Sequence, residues 1–155
     1  MKSGIRTVVT FESTAFNMTK SKDYFVNPCC FGDDVAEWLI AELRKQGIRA
    51  EEKPGQEDFG WYLNFEAAGI AHTFVIGHRP RGEKEAGMWI GWLERKRGLF
   101  GSILGRRRRG IQASAAQAIH QALTASSAIR EVRWHFQADF SSGVEHGAES
   151  PLAPA

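Results

Sequence analysis

Alternating apolar and polar positions predict most of the strands of this chain. Residues 5–12 place Val9 and Phe11 on one side and Arg6 and Glu12 on the other. Because successive side chains of a strand point to opposite faces, this pattern predicts a half-buried strand. Similar patterns predict strands at residues 48–53, 61–66, 70–77, 88–93 and 129–139. The turns between residues 61 and 93 are short enough to indicate an antiparallel meander.

Two other segments have apolar residues at helical spacing. The first, Asp34 to Gln46, has the stripe Val35, Trp38, Leu39 and Leu43. Acids at its start and bases at its end suit the helix dipole. The second, Ala115 to Ala125, follows Ser114 and Gln117, which are spaced as a capping box.

The predicted element order is β-α-β-β-β-β-α-β, which indicates an α+β fold. We expect a two-layer sandwich: a mostly antiparallel sheet of about five to six strands with two helices on one face. The order resembles a ferredoxin-like βαββαβ pattern with an extra hairpin. The predicted domain spans residues 1–140, and the Gly-, Ser-, Pro- and Ala-rich residues 141–155 are predicted to form a disordered C-terminal tail.

Bulk composition narrows the class of protein. Apolar residues make up 43% and charged residues 25% of 155 residues, as in ordinary folded domains. No apolar run approaches the roughly 18 residues of a membrane span. The two cysteines, Cys29 and Cys30, are adjacent and unsuited to a stabilising disulfide. These features favour a reducing, bacterial-type cytoplasm.

Positive charge is concentrated in one segment. Residues 93–110 contain seven Lys/Arg and one acid, a net +6, which leaves −4 for the rest of a chain of net +2. We define residues 95–109 as the basic segment. Its candidate binding residues are Arg95, Lys96, Arg97, Phe100, Arg106, Arg107, Arg108 and Arg109. Basic runs around an apolar centre suit an acidic protein partner, nucleic acid or an anionic membrane surface, but also a solvated loop paired with the chain's own acids.

Other residues with chemical potential give weaker indications. Cys29 and Cys30 are interpreted as small fillers of a turn, with thiol redox chemistry and metal binding as alternatives. A group of acids is interpreted as solvated, with acid–base catalysis and docking of a basic partner as alternatives; it comprises Glu51, Glu52, Glu57 and Asp58, with Asp33 and Asp34 upstream. No nucleophile elbow, phosphate loop or zinc-ligand spacing occurs, so no catalytic residue, cofactor or metal is predicted.

An open sheet face offers one more candidate surface. If one face of the sheet is uncovered, Tyr62 or Trp89 beside basic residues could stack on nucleic-acid bases. The aromatic motif of sheet-based RNA binders is absent, so this indication is weak.

The function predicted from the sequence is a small non-catalytic cytoplasmic protein that binds a partner. The alternative is a nucleic-acid-binding accessory protein that uses the basic segment without reading base sequence. A second alternative is a small enzyme whose site has no recognisable motif. A homo-oligomer is compatible with the sequence, which does not identify a partner.

Overall fold

A computed structural model describes residues 4–18, 20–25, 30–57, 60–79, 87–96, 110–144 and 146–154. The order of its elements along the chain is β1 (Val8–Glu12), α1 (Asp33–Lys45), β2 (Gly55–Glu57), β3 (Gly60–Ala67), β4 (Ile70–His78), β5 (Met88–Arg95), α2 (Ala113–Thr124), β6 (Arg130–His135) and α3 (Gln137–Ser141).

Within these residues the strands form one open, antiparallel, six-stranded sheet in the order β2-β3-β4-β5-β1-β6. The predicted α+β class is confirmed. Without the β3–β4 hairpin, the order would be β2-β5-β1-β6, the arrangement of a ferredoxin-like βαββαβ unit. The extra hairpin lies in the middle of the sheet, between β2 and β5.

The core lies between the helices and one face of the sheet, here called the inner face. Leu63, Phe74 and Leu93 lie opposite one another on β3, β4 and β5, and each is at most 1% exposed. The two long helices pack against each other and against β3, so they share this face. The helix residues with no exposed surface are Val35, Ala36, Leu39, Leu43, Ala115, Ala116, Ile119 and Leu123.

Both long helices differ in detail from the prediction. Trp38 is not in the core stripe of α1: it is half-buried and packs against Phe16, with ring centroids 5.8 Å apart. The predicted capping box of α2 is wrong, because the helix begins at Ala113 and makes no side-chain cap hydrogen bond. Ser114 therefore lies inside the first turn and cannot be the N-cap residue.

Five strand predictions were correct in place but not in length, and the predicted strand 48–53 was wrong in place. Only Ala50 of the predicted strand 48–53 forms a bridge, with Phe65, and the edge strand β2 comes after Pro54. The first strand begins at Val8, since Ile5 pairs with Leu152 instead of joining the sheet.

The C-terminal residues differ most from the prediction. Residues 146–154, here called the C-terminal segment, lie against the domain, whereas composition predicted disorder from residue 141 onward. Trp134 and Ala148 exchange two backbone hydrogen bonds of 2.7 and 2.8 Å, and Pro151 is buried. The edge of β6 has backbone groups that need partners, and this segment supplies them. The short helix α3, which was not predicted, connects β6 to it.

Core packing gives a first testable prediction. We expect Leu39→Ala to lower the free energy of unfolding by about 3 kcal/mol, because a fully buried leucine leaves a cavity between α1 and the sheet. Trp38→Ala should cost less, although it removes more atoms, because Trp38 is half-buried. Urea unfolding of both variants measures this order, and a larger loss for Trp38→Ala would contradict the packing described.

Candidate functional site

The structure describes only the base of the basic segment. Arg95 ends β5 and Lys96 follows it. The other candidate binding residues lie outside the described residues; they are Arg97, Phe100, Arg106, Arg107, Arg108 and Arg109. The description resumes at Gly110, three residues before α2. What the structure brings together is therefore the two ends of the segment, here called the stem and comprising Arg95, Lys96 and residues 110–112.

The two sides of the stem are in direct contact. Arg95 Nη1 donates a hydrogen bond of 3.4 Å to the Gly110 carbonyl oxygen. Gly110 has a φ of 77°, and a Cβ there would lie 2.6 Å from Arg95 Nη1. Glycine is thus needed both for the left-handed backbone and for the close approach of the guanidinium. This contact therefore joins the two described ends of the chain, Lys96 and Gly110, on either side of residues 97–109.

A buried histidine anchors the second side of the stem. The backbone N–H of Gln112 donates to His72 Nε2 over 3.1 Å, and His72 Nδ1 lies 2.9 Å from the Ile70 carbonyl oxygen. Because an amide N–H can only donate, Nε2 must be the acceptor and Nδ1 must carry the proton. His72 has 0% exposure and stacks on Phe65 at 5.8 Å.

The environment of His72 keeps its imidazole neutral. Burial lowers the pKa of His72 below its usual value, and the nearby Arg95 charge lowers it further, against the opposite effect of the hydrogen bond to Ile70. Burial also lowers the pKa values of His78 and His120. A neutral His72 that already uses both ring nitrogens is suited to holding the start of α2, not to proton transfer.

Lys96 is paired with an acid of the same chain. Its ammonium lies 3.1 Å from Glu51 Oε1, and its backbone N–H donates to the Ala71 carbonyl oxygen over 3.1 Å. Both charged side chains are close to half exposed, so the pair contributes little to stability. It nevertheless neutralises one of the two described basic residues of the basic segment.

The acids singled out from the sequence have two different environments. Glu52 and Glu57 are exposed, as predicted, and Asp58 lies outside the described residues. Asp33 instead is only 1% exposed, so its assignment to a solvated group is wrong. Its Oδ2 accepts hydrogen bonds from Lys22 Nζ at 2.7 Å and from the Tyr24 hydroxyl.

This Lys22–Tyr24–Asp33 cluster is not poised for acid–base chemistry near neutral pH. Burial alone would raise the pKa of Asp33, but hydrogen bonds from Lys22 and Tyr24 outweigh it and hold the pKa below its usual value. The Asp33 hydrogen bond raises the pKa of Lys22, while desolvation and then Asp33 raise that of Tyr24. Each shift stabilises the ordinary charge state, so the cluster ties the loop before α1 to the helix.

The thiols and metal ligands give no site within the described chain. Cys29 lies outside the described residues, and Cys30 is half-buried with its carbonyl oxygen accepting a 2.8 Å hydrogen bond from Trp61 Nε1. Among the residues that the structure describes, no group of three His, Cys, Asp or Glu could hold a metal ion. That the thiols are reduced stays a prediction.

The suggested base-stacking surface cannot include Trp89. Trp89 has 0% exposure and faces the core beside Phe16 and His78, so its assignment to an open face is wrong. Tyr62 is half-buried on the other face, in register with Val75 and Trp92. Sequence alternation alone identifies two faces but not which is covered, and this caused the error.

A shallow pocket of about 120 Å³ lies between β6, α3 and the C-terminal segment. Arg6 lines it, but its guanidinium already donates to the Ser150 carbonyl oxygen over 3.1 Å and lies 4.8 Å from the centre of the Phe136 ring. His135, a second lining residue, lies with Nε2 2.9 Å from the Thr10 hydroxyl. Both side chains are thus already bonded within the fold.

No family model, curated protein or solved structure matches this chain. Among the described residues, no helix is long and apolar enough to cross a membrane.

The His72 contacts predict a specific response to acid. Because the pKa of folded His72 is lowered, the unfolded chain binds protons more readily below about pH 6.5, and the free energy of unfolding should fall as pH decreases from there. His72→Gln can still accept from Gln112 but does not titrate, so its stability should depend less on pH between 6.5 and 5. Urea unfolding at several pH values tests this, and unchanged pH dependence in the variant would contradict it.

The Asp33 cluster predicts an asymmetry between its two charged partners. Lys22→Met should cost about 3 kcal/mol, the lower limit for breaking a buried pair, because the Lys22 side chain is 41% exposed and that of Asp33 only 2%. Asp33→Asn should cost less, since Lys22 can return to water. Adding Asp33→Asn to Lys22→Met should recover stability. Thermal unfolding of the three variants measures the cycle, and additive losses would contradict it.

Proposed function

We propose that this chain is a small non-catalytic cytoplasmic protein that binds an acidic protein partner through the basic segment. The observation that carries the proposal is the stem, where Arg95 contacts Gly110 and Gln112 is bonded to His72. This contact gives the segment a fixed base. Residues 97–109 contain five arginines and no acid, so they produce a strong positive electrostatic potential.

The apolar centre of the segment favours a protein partner over nucleic acid. Leu99, Phe100, Ile103 and Leu104 lie between the two basic runs. Phosphate neutralisation would use only the arginines, whereas a protein surface can pair with the arginines and also bury the apolar side chains. One further observation supports this choice: Trp89 is buried in the core, so it cannot stack on bases.

The electrostatics of the described residues support a non-catalytic role. A catalytic acid or base is normally shifted toward the working pH. Here Lys22 and Tyr24 are shifted away from it, and His72 is engaged through both nitrogens. These groups are explained by the stability of the fold.

Replacement of Arg106, Arg107, Arg108 and Arg109 by alanine tests the proposal. The probe is a fluorescein-labelled peptide of alternating glutamate and leucine, followed by anisotropy. We expect about a tenfold loss of affinity, because four partly exposed charge pairs contribute roughly 0.2–1 kcal/mol each. Urea unfolding should change little.

A matched control removes four positive charges elsewhere. Lys20, Lys45, Arg49 and Lys53 are all exposed, and their replacement by alanine gives the same net charge. We expect the control to bind the peptide within about twofold of the unmodified chain. Equal losses in the two variants would show that only total charge matters. Tighter binding of a single-stranded oligonucleotide of the same charge than of the peptide would replace the proposal with the nucleic-acid alternative.

A further inference from the structure

Ala148 of the C-terminal segment forms an antiparallel bridge with Trp134 at the outer edge of the sheet. β6 is the last strand of the order, with β1 on one side. On its other side Ala148 accepts from the Trp134 N–H over 2.7 Å and donates to the Trp134 carbonyl over 2.8 Å. The edge of β6 is therefore a site that accepts extended backbone.

The same segment makes a second set of backbone contacts with residues 4–6. The Arg6 N–H donates to the Pro151 carbonyl over 2.7 Å, and the Ala153 N–H donates to the Gly4 carbonyl over 3.0 Å. Leu152 forms a bridge with Ile5. We call β6 together with residues 4–6 the acceptor edge. It holds its occupant mainly through main-chain hydrogen bonds, so any extended segment that fits sterically could make the same bonds.

Side chains restrict which segment fits. Gly147 has a φ of 63°, and a Cβ there would lie 2.7 Å from Cε1 and 2.9 Å from Nδ1 of His135. Any larger residue at this point would have to displace the buried His135 ring. A proline is buried four positions later, at Pro151. The acceptor edge thus selects a segment with glycine and proline at this spacing.

We propose that the acceptor edge is an exchangeable strand site, and that its second occupant is the C-terminal segment of another copy of this chain. A second copy carries the one sequence that the structure shows to satisfy the glycine and proline positions. Exchange would reproduce contacts that the single chain already makes, so a dimer could form without a new interface. In the single chain the tethered segment has an effective concentration in the millimolar range, so it competes strongly with an incoming one.

The proposal is tested in the full-length chain by displacing its own C-terminal segment from the acceptor edge. In Gly147→Val, a valine at positive φ and against His135 should expel the chain's own segment and leave the acceptor edge intact. A fluorescein-labelled peptide of residues 142–155 should then bind Gly147→Val at least about 100-fold more tightly than the unmodified chain. The matched control is Gly143→Val, because Gly143 has a φ of 92° but nothing within 4 Å of an added Cβ. This control should bind the peptide as weakly as the unmodified chain.

Three outcomes would overturn the proposal. The first is a folded Gly147→Val chain, with an unchanged circular dichroism spectrum, that does not bind the peptide. The second is equal binding of a peptide that itself carries Gly147→Val. If Gly147→Val fails to fold, Ala148→Pro replaces it, because proline removes the N–H that bonds to Trp134 and leaves β6 unaltered.

The third outcome concerns the occupant of the acceptor edge. Light scattering should detect a concentration-dependent dimer of the unmodified chain that Gly147→Val lacks. An equal dimer fraction in both would exclude exchange.

Discussion

The buried imidazole of His72 is the constraint on which the arrangement of the stem depends. The inner face around it is apolar, so both ring nitrogens need partners within the fold. One partner is the Ile70 carbonyl and the other is the Gln112 N–H, which fixes where the chain returns to begin α2. Because β5 ends beside β4, this single group also determines where the basic segment is attached.

Sequence alone predicted the elements whose periodicity reports burial. The alternation in β3 to β5 and, apart from Trp38, the stripe of α1 are produced by the core itself, so they identified strands and helix correctly. Helix ends were harder to predict. Ser114 and Gln117 have the spacing of a capping box, but Gln112, whose N–H is bonded to His72, is the N-cap residue, so α2 begins two residues earlier than predicted. A tertiary contact, and not the local motif, thus sets the residue at which α2 begins.

Features that depend on distant parts of the chain could not be predicted from local patterns. Asp33 seemed a solvated acid because nothing in its neighbourhood shows that Lys22 and Tyr24 fold back onto it. The residues after 141 have a composition typical of disorder, yet backbone hydrogen bonding to β6 is nearly independent of side chains. The concentration of charge in the basic segment follows from the sequence alone. The contact between its two ends is seen only in the structure.

The tautomer of His72 is decisive for the arrangement of the stem, because the stem requires Nε2 to accept and Nδ1 to donate. Long-range ¹H–¹⁵N correlation of the imidazoles, with His72→Gln used to assign the signals, reports which nitrogen carries the proton between pH 8 and 5. We expect a neutral ring protonated at Nδ1, with a pKa below the usual value near 6.5. A ring protonated at Nε2, or a His72 that titrates at or above 6.5, would contradict it.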